Sequence, residues 1–181
     1  MFSLKTDKTN LPAKVEVSFE SLSSYDLNVD IDYLMSLDPE DIITIRYEGV
    51  DGESLFEVTL NDGFITGLSL ICFNGSAEIY DSVWTRPQTI HENLCNYRLF
   101  MDDQNCVLRI APHEIDQRKN FCLLIYTDAV LLLTVIGDVY SSHKISDELY
   151  ILLAKNGLVL GYVILSKKEA LRFKNVYGGG Q

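Results

Sequence analysis

Ala13-Lys14-Val15-Glu16-Val17-Ser18-Phe19-Glu20 puts an apolar residue at every odd position and a polar one at every even position. A two-residue repeat marks an extended strand, whose successive side chains point to opposite faces, so this stretch predicts a strand with one buried and one wet face. The same alternation recurs downstream. Ile43, Ile45 and Tyr47 alternate with Thr44, Arg46 and Glu48, and Phe56, Val58 and Leu60 alternate with Glu57 and Thr59. Turn formers separate the runs at Gly49-Val50-Asp51-Gly52, at Asn61-Asp62-Gly63 before Phe64 to Phe73, and at Asn74-Gly75 before Ala77 to Tyr80. Together they predict an antiparallel meander.

The second half of the chain is built differently. Phe121 to Gly137 and Leu149 to Leu165 are long apolar runs near the lower length limit of a membrane-spanning helix, but Thr127-Asp128 and Lys155-Asn156-Gly157 interrupt them with turn formers. Their β-branched and aromatic content favours two hairpins, Phe121 to Tyr126 with Val130 to Ile136 and Leu149 to Ala154 with Leu158 to Leu165. These strands are apolar on both faces and need cover on both, from further layers or from a partner subunit. Further strands are expected at Tyr97 to Met101 and Cys106 to Ala111. Helix is scarce: two turns over Asp30 to Leu37, a short one within Thr85 to Asn93, and a C-terminal helix Lys167 to Phe173 opened by the capping box Ser166-Lys167-Lys168-Glu169. The expected fold is mainly β, α+β with few short helices, a meander closing into a sandwich or barrel-like sheet. At 181 residues one domain over 1–181 is the default, with 1–12 and 177–181 as flexible ends.

Composition narrows the function. With 47% hydrophobic and 23% charged residues the chain is globular rather than disordered. The start Met1 to Lys8 lacks an apolar core or cleavage site for secretion, which points to the cytoplasm and to reduced thiols at Cys72, Cys95, Cys106 and Cys122. Asn74-Gly75-Ser76 fits a glycosylation sequon and reads there as a turn.

Motifs of chemistry fail on inspection. Asp26-Leu27-Asn28-Val29-Asp30-Ile31-Asp32 has the opening spacing of a calcium loop, but Ile31 and Leu37 stand where the turn glycine and the bidentate glutamate belong. Asp30 or Asp32 is better read as a helix cap. His91 and Cys95, with Cys106 and Cys122, lack the close ligand pairs of structural zinc. No combination of the cysteines with His91, His113 and His143 has a local nucleophile signature, and the phosphate-binding glycine motifs are absent. No catalytic residue, metal or cofactor is assigned.

Charge is the informative feature. Between Glu16 and Asp62 thirteen carboxylates face one cation, Arg46, a net of −12 within a chain whose formal charge is −11. Such a field attracts cationic partners and repels nucleic acid and anionic membranes. The candidate partner-binding residues are Glu16, Glu20, Asp30, Asp32, Asp38, Glu40, Asp41, Glu48, Asp51, Glu53, Glu57 and Asp62, with Tyr25, Tyr33 and Tyr47 as aromatic anchors among them. In size, charge, strand-rich patterning and lack of a catalytic signature the chain resembles the immunity proteins that bacteria keep against polymorphic or contact-dependent toxins. That resemblance implies a clamp in which carboxylates pair with the Lys and Arg of a nuclease-type toxin's substrate groove. The alternatives are a β-barrel or sandwich enclosing a small apolar ligand, and an accessory protein burying its apolar hairpins in a homodimer.

Overall fold

Strands make up most of the described backbone. The computed structural model describes residues 3–8, 15–20, 27–33, 42–50, 52–61, 64–87, 97–102, 114–118 and 120–178. In chain order the elements are β1 (Ser3–Lys8), β2 (Val15–Glu20), β3 (Leu27–Tyr33), β4 (Ile42–Glu48), β5 (Leu55–Asn61), β6 (Phe64–Cys72), β7 (Glu78–Ile79), β8 (Tyr97–Asp102), β9 (Glu114–Arg118), β10 (Cys122–Ile125), β11 (Val130–Leu133), β12 (Ser141–Lys144), β13 (Leu149–Leu153), β14 (Val159–Ile164) and α1 (Lys167–Tyr177). They gather into two compact units, Met1–Asn74 with Cys95–Asn120, and Gly75–Leu94 with Phe121–Gln181. Among the described residues neither large sheet closes into a barrel.

The first unit holds a six-stranded sheet in the order β2-β3-β6-β5-β4-β9, and a separate antiparallel pair, β1 with β8. The predicted meander is present in β4, β5 and β6, where Ile45 lies opposite Val58, and Val58 opposite Leu68. Leu27, Val29, Ile31, Ile45, Tyr47, Phe56, Val58, Leu60, Leu68 and Leu70 are all buried, which is the inward half of the alternation. The turn between β4 and β5 is closed by Gly52, at φ 74, whose N–H donates to Gly49 O at 2.9 Å.

One expectation changes here, and one strand is added. Asp30 to Tyr33 are not helical, because Leu27–Tyr33 is the strand β3, paired with β2 on one side and β6 on the other, and the rest of the helix expected to Leu37 lies outside the described residues. Pairing on both edges, with Leu27, Val29 and Ile31 buried, outweighs the local tendency of Asp30 and Asp32 to cap a helix. A further strand, β9, joins β4 in parallel, with Ile45 opposite Ile115. The strand expected at Cys106 to Ala111 lies outside the described residues, as do His91, Cys95 and His113. Thr85 to Pro87 are not helical, and the rest of the short helix expected there also lies outside.

The second unit holds the sheet β12-β13-β14-β11-β10-β7, mixed because β7 joins β10 in parallel. Both predicted hairpins are present, Cys122 opposite Leu133 through Ile125 opposite Val130, and Leu149 opposite Ile164 through Leu153 opposite Val159. β13 and β14 are buried at every position within a single chain. One face carries the cluster Ala129, Leu131, Tyr150, Leu152, Leu160 and Val163, over which Trp84, Tyr126, Val139 and Leu165 are packed. The helix α1 packs against β10 and β11 and buries Ala170 and Phe173. A long apolar run is therefore satisfied as a sandwiched sheet strand, and among the described residues no helix is long and apolar enough to cross a membrane.

At the N-terminus of α1 one half of the expected capping box forms, and the glutamate turns to an arginine instead of returning to the Ser166 N–H. Ser166, in an extended conformation, accepts from the Glu169 N–H, and Glu169 Oε2 accepts from Arg172 Nε at 2.7 Å. The helix runs past Phe173 to Tyr177, whose ring lies 5.7 Å from that of Phe173.

Candidate acidic sheet face

The candidate site is the outward face of the six-stranded sheet in the first unit. Because every second residue of a strand faces outward, the positions on this face follow from the register. Across β3, β6, β5, β4 and β9 one row of register partners runs Asn28, Ser69, Glu57, Arg46, Asp116. Asp30 and Asp32 lie two and four residues along β3, and Glu48 lies two along β4, in register with Arg118. By the same register β2 contributes positions Glu16, opposite Asp32, and Glu20, opposite Asn28, and β9 contributes Glu114, opposite Thr44.

Cations are unevenly distributed over this face. On the β4, β5 and β9 side, Arg46 and Arg118 share the face with Glu48, Glu57 and Asp116 and with the register position of Glu114. Arg46 Nε donates to Glu57 Oε1 at 2.7 Å with the side chains 32% and 20% exposed. On the β2 and β3 side the four carboxylate positions Glu16, Glu20, Asp30 and Asp32 have no Lys or Arg among their register partners. Like charges at opposed positions, as at Glu16 and Asp32, destabilise a strand pair. Asp30 is oriented by a short relay, in which Ser69 Oγ donates to Asn28 Oδ1 at 2.7 Å and Asn28 Nδ2 donates to Asp30 Oδ2 at 2.9 Å.

Of the predicted site residues, the sheet brings Glu16, Glu20, Asp30, Asp32, Glu48 and Glu57 onto one face. Glu53 is elsewhere, exposed on the turn before β5, where its carboxylate accepts from Asn74 Nδ2. Tyr47 is 5% exposed and stacks on Phe56 with ring centroids 5.9 Å apart. Its ring belongs to the core, because it alternates with Arg46 and Glu48 and so takes the inward position. Tyr33 is the last residue of β3, opposite Val15. Tyr25, Asp38, Glu40, Asp41, Asp51 and Asp62 lie outside the described residues. Sequence reading missed Glu114, Asp116 and Arg118, since Glu114-Ile115-Asp116-Gln117-Arg118 has one apolar residue and becomes a strand only by pairing with β4.

By sequence, the first unit carries eighteen carboxylates against eight Lys and Arg, a net of −10, and the second carries eight against seven. Cys72 and Cys122 are free, half-buried thiols. Comparison of the chain with protein-family models and with curated proteins finds no match.

Proposed function

We propose that this chain is a cytoplasmic binding protein that neutralises a basic protein, acting as an immunity protein against a nuclease-type toxin. The observation that carries this reading is the register of the six-stranded sheet, which aligns acidic positions of β2, β3, β4, β5 and β9 on one face. Three separated stretches of sequence thus contribute to one negative surface. A surface of that kind, with its least neutralised part at β2 and β3, suits the Lys and Arg that line a nuclease groove and stand ready for phosphates. Long-range attraction speeds encounter, and close charge pairs formed on docking add about 1.5–7 kcal/mol each by slowing dissociation. The carboxylates act by occupying the groove, so the chain needs no chemistry of its own.

The test is capture of the partner from the native cell by the tagged full-length chain, followed by stopped-flow association with the captured protein. A basic partner whose association slows steeply from low to high ionic strength supports the reading. A neutral or acidic partner, or an association rate indifferent to salt, overturns it.

A further inference from the structure

Asparagine followed by glycine occurs twice in the chain, at Asn74-Gly75 and Asn156-Gly157. Glycine in second place leaves the backbone nitrogen unshielded by a side chain and free to swing toward the asparagine amide. The two steps are held differently. Gly157 sits at φ 81 with its N–H donating to Ala154 O at 3.0 Å, and Asn156 Oδ1 accepts from Leu158 N at 3.1 Å. Both the would-be nucleophile and the side-chain carbonyl are thus engaged in the turn of the β13–β14 hairpin. At the other step Asn74 and Gly75 are both exposed. Asn74 is anchored through its backbone N–H to Ser54 Oγ at 2.9 Å and through Nδ2 to Glu53 Oε2. Among the described residues the Gly75 N–H donates to no protein acceptor, and Asn74 Oδ1 takes no protein donor.

We propose that Asn74 is a spontaneous deamidation site of the native protein and that Asn156 is protected by its turn. The Gly75 nitrogen gives up its proton and attacks Asn74 Cγ, the bond from Cγ to Nδ2 breaks, and that nitrogen leaves with the proton as ammonia. A water molecule then opens the resulting five-membered imide. Cleavage at the side-chain carbonyl yields aspartate, and cleavage at the main-chain carbonyl yields the isoaspartyl link. The consequence is electrostatic: an amide that donates to Glu53 becomes an acceptor-only carboxylate. Two like charges then face each other where a hydrogen bond stood, and the acidic unit gains one more negative charge.

Incubation of the full-length chain at mildly alkaline pH, followed by peptide mass spectrometry and enzymatic methylation of isoaspartate, reads both sites at once. The expected result is conversion at Asn74 ahead of Asn156 in the native protein, with the two converting at similar rates in denaturant. Asn74→Gln abolishes the acidic species, Gly75→Ala markedly slows its formation by hindering the attacking nitrogen, and Asn156→Gln leaves it in place. Conversion at Asn156 first, or the same ratio of rates in native and denatured protein, overturns the assignment.

Discussion

Arg46 Nε donates to Glu57 Oε1 at 2.7 Å across β4 and β5, from positions directly opposed in register. Arg46 is the one cation between Glu16 and Asp62, and Asp116 opposes it from β9. Arg46→Gln removes a partly exposed charge pair, and solvent screening limits the expected loss to about 1 kcal/mol. The deficit, measured by urea unfolding, is largest at low ionic strength, where Glu57 and Asp116 repel unscreened, and shrinks as salt is added. An equal loss at all salt concentrations assigns Arg46 a packing role instead.

Reversal of charge at Asp30 and Asp32 separates the two sides of the face. Asp30→Lys with Asp32→Lys is expected to slow association with a basic partner more than Glu48→Lys with Asp116→Lys, because Arg46 and Arg118 already offset the second pair. Mutations of exposed charges act chiefly on the association rate. Equal slowing by the two double variants contradicts the localisation to β2 and β3.

Two glycines test two different constraints. A Cβ on Gly161 meets Leu132 O at 2.3 Å and Leu133 Cα at 2.9 Å, a clash with the backbone of the neighbouring strand. Gly161→Ala is expected to cost about 1–3 kcal/mol through overpacking. At Gly52 nothing lies within 4 Å of an added Cβ, but φ is 74, so Gly52→Ala costs about 1–2 kcal/mol from the left-handed conformation alone. Gly52→Asn, which tolerates that region, recovers part of the loss in thermal unfolding. No asparagine rescue is expected at Gly161.

The C-terminal helix depends on its caps. Ser166→Ala removes the acceptor for the Glu169 N–H and is expected to cost about 1 kcal/mol, read by hydrogen exchange along Lys167–Tyr177. At the far end Lys174 Nζ bonds Asp81 Oδ1 at 2.5 Å, and that hydrogen bond, with the charge of Lys174, holds the Asp81 carboxyl below its ordinary range. A carboxylate favoured in the folded state contributes fully above its unfolded pKa, and the contribution disappears as pH falls through the lowered one. Exchange at the end of α1 therefore accelerates on acidification, and Asp81→Asn removes that response.

Tyr80 titrates in the opposite direction. Its hydroxyl donates to Glu78 Oε2 at 2.5 Å, and its ring stacks on Tyr126 at 4.7 Å. The bond to Glu78 holds the phenol above its ordinary pKa. Any stabilisation from it is present below the unfolded pKa of tyrosine and is lost as pH rises through the folded one. Glu78→Gln is expected to shift one tyrosinate absorbance step to lower pH, and an unchanged alkaline titration argues against the contact.

Local pattern carried much of the architecture. The alternation in β2, β4 and β5, the turns at Gly52 and Gly157, both late hairpins and the Ser166 cap depend on neighbours in sequence, and each was readable from them. β1, which falls in the stretch expected to be a flexible end, and β3, β9 and β12 were not. Asn28, Asp30 and Asp32 mimic a capping segment, β9 has one apolar residue, and Ser141-Ser142-His143-Lys144 has none. Such segments become strands because another strand offers its unpaired backbone groups, an interaction no local window contains.

The sequence by itself determined that this chain is rich in half-buried and fully buried strands and that its negative charge is concentrated in its first third. Alternation and composition require nothing beyond the order of residues. Only the tertiary structure decided that acidic positions of β2, β3, β4, β5 and β9 share one sheet face, that Tyr47 points into the core, and that Arg118 comes into register with Glu48 from far along the chain. Strand order and register are set by long-range backbone pairing, and a shift of one residue would have turned every outward carboxylate inward.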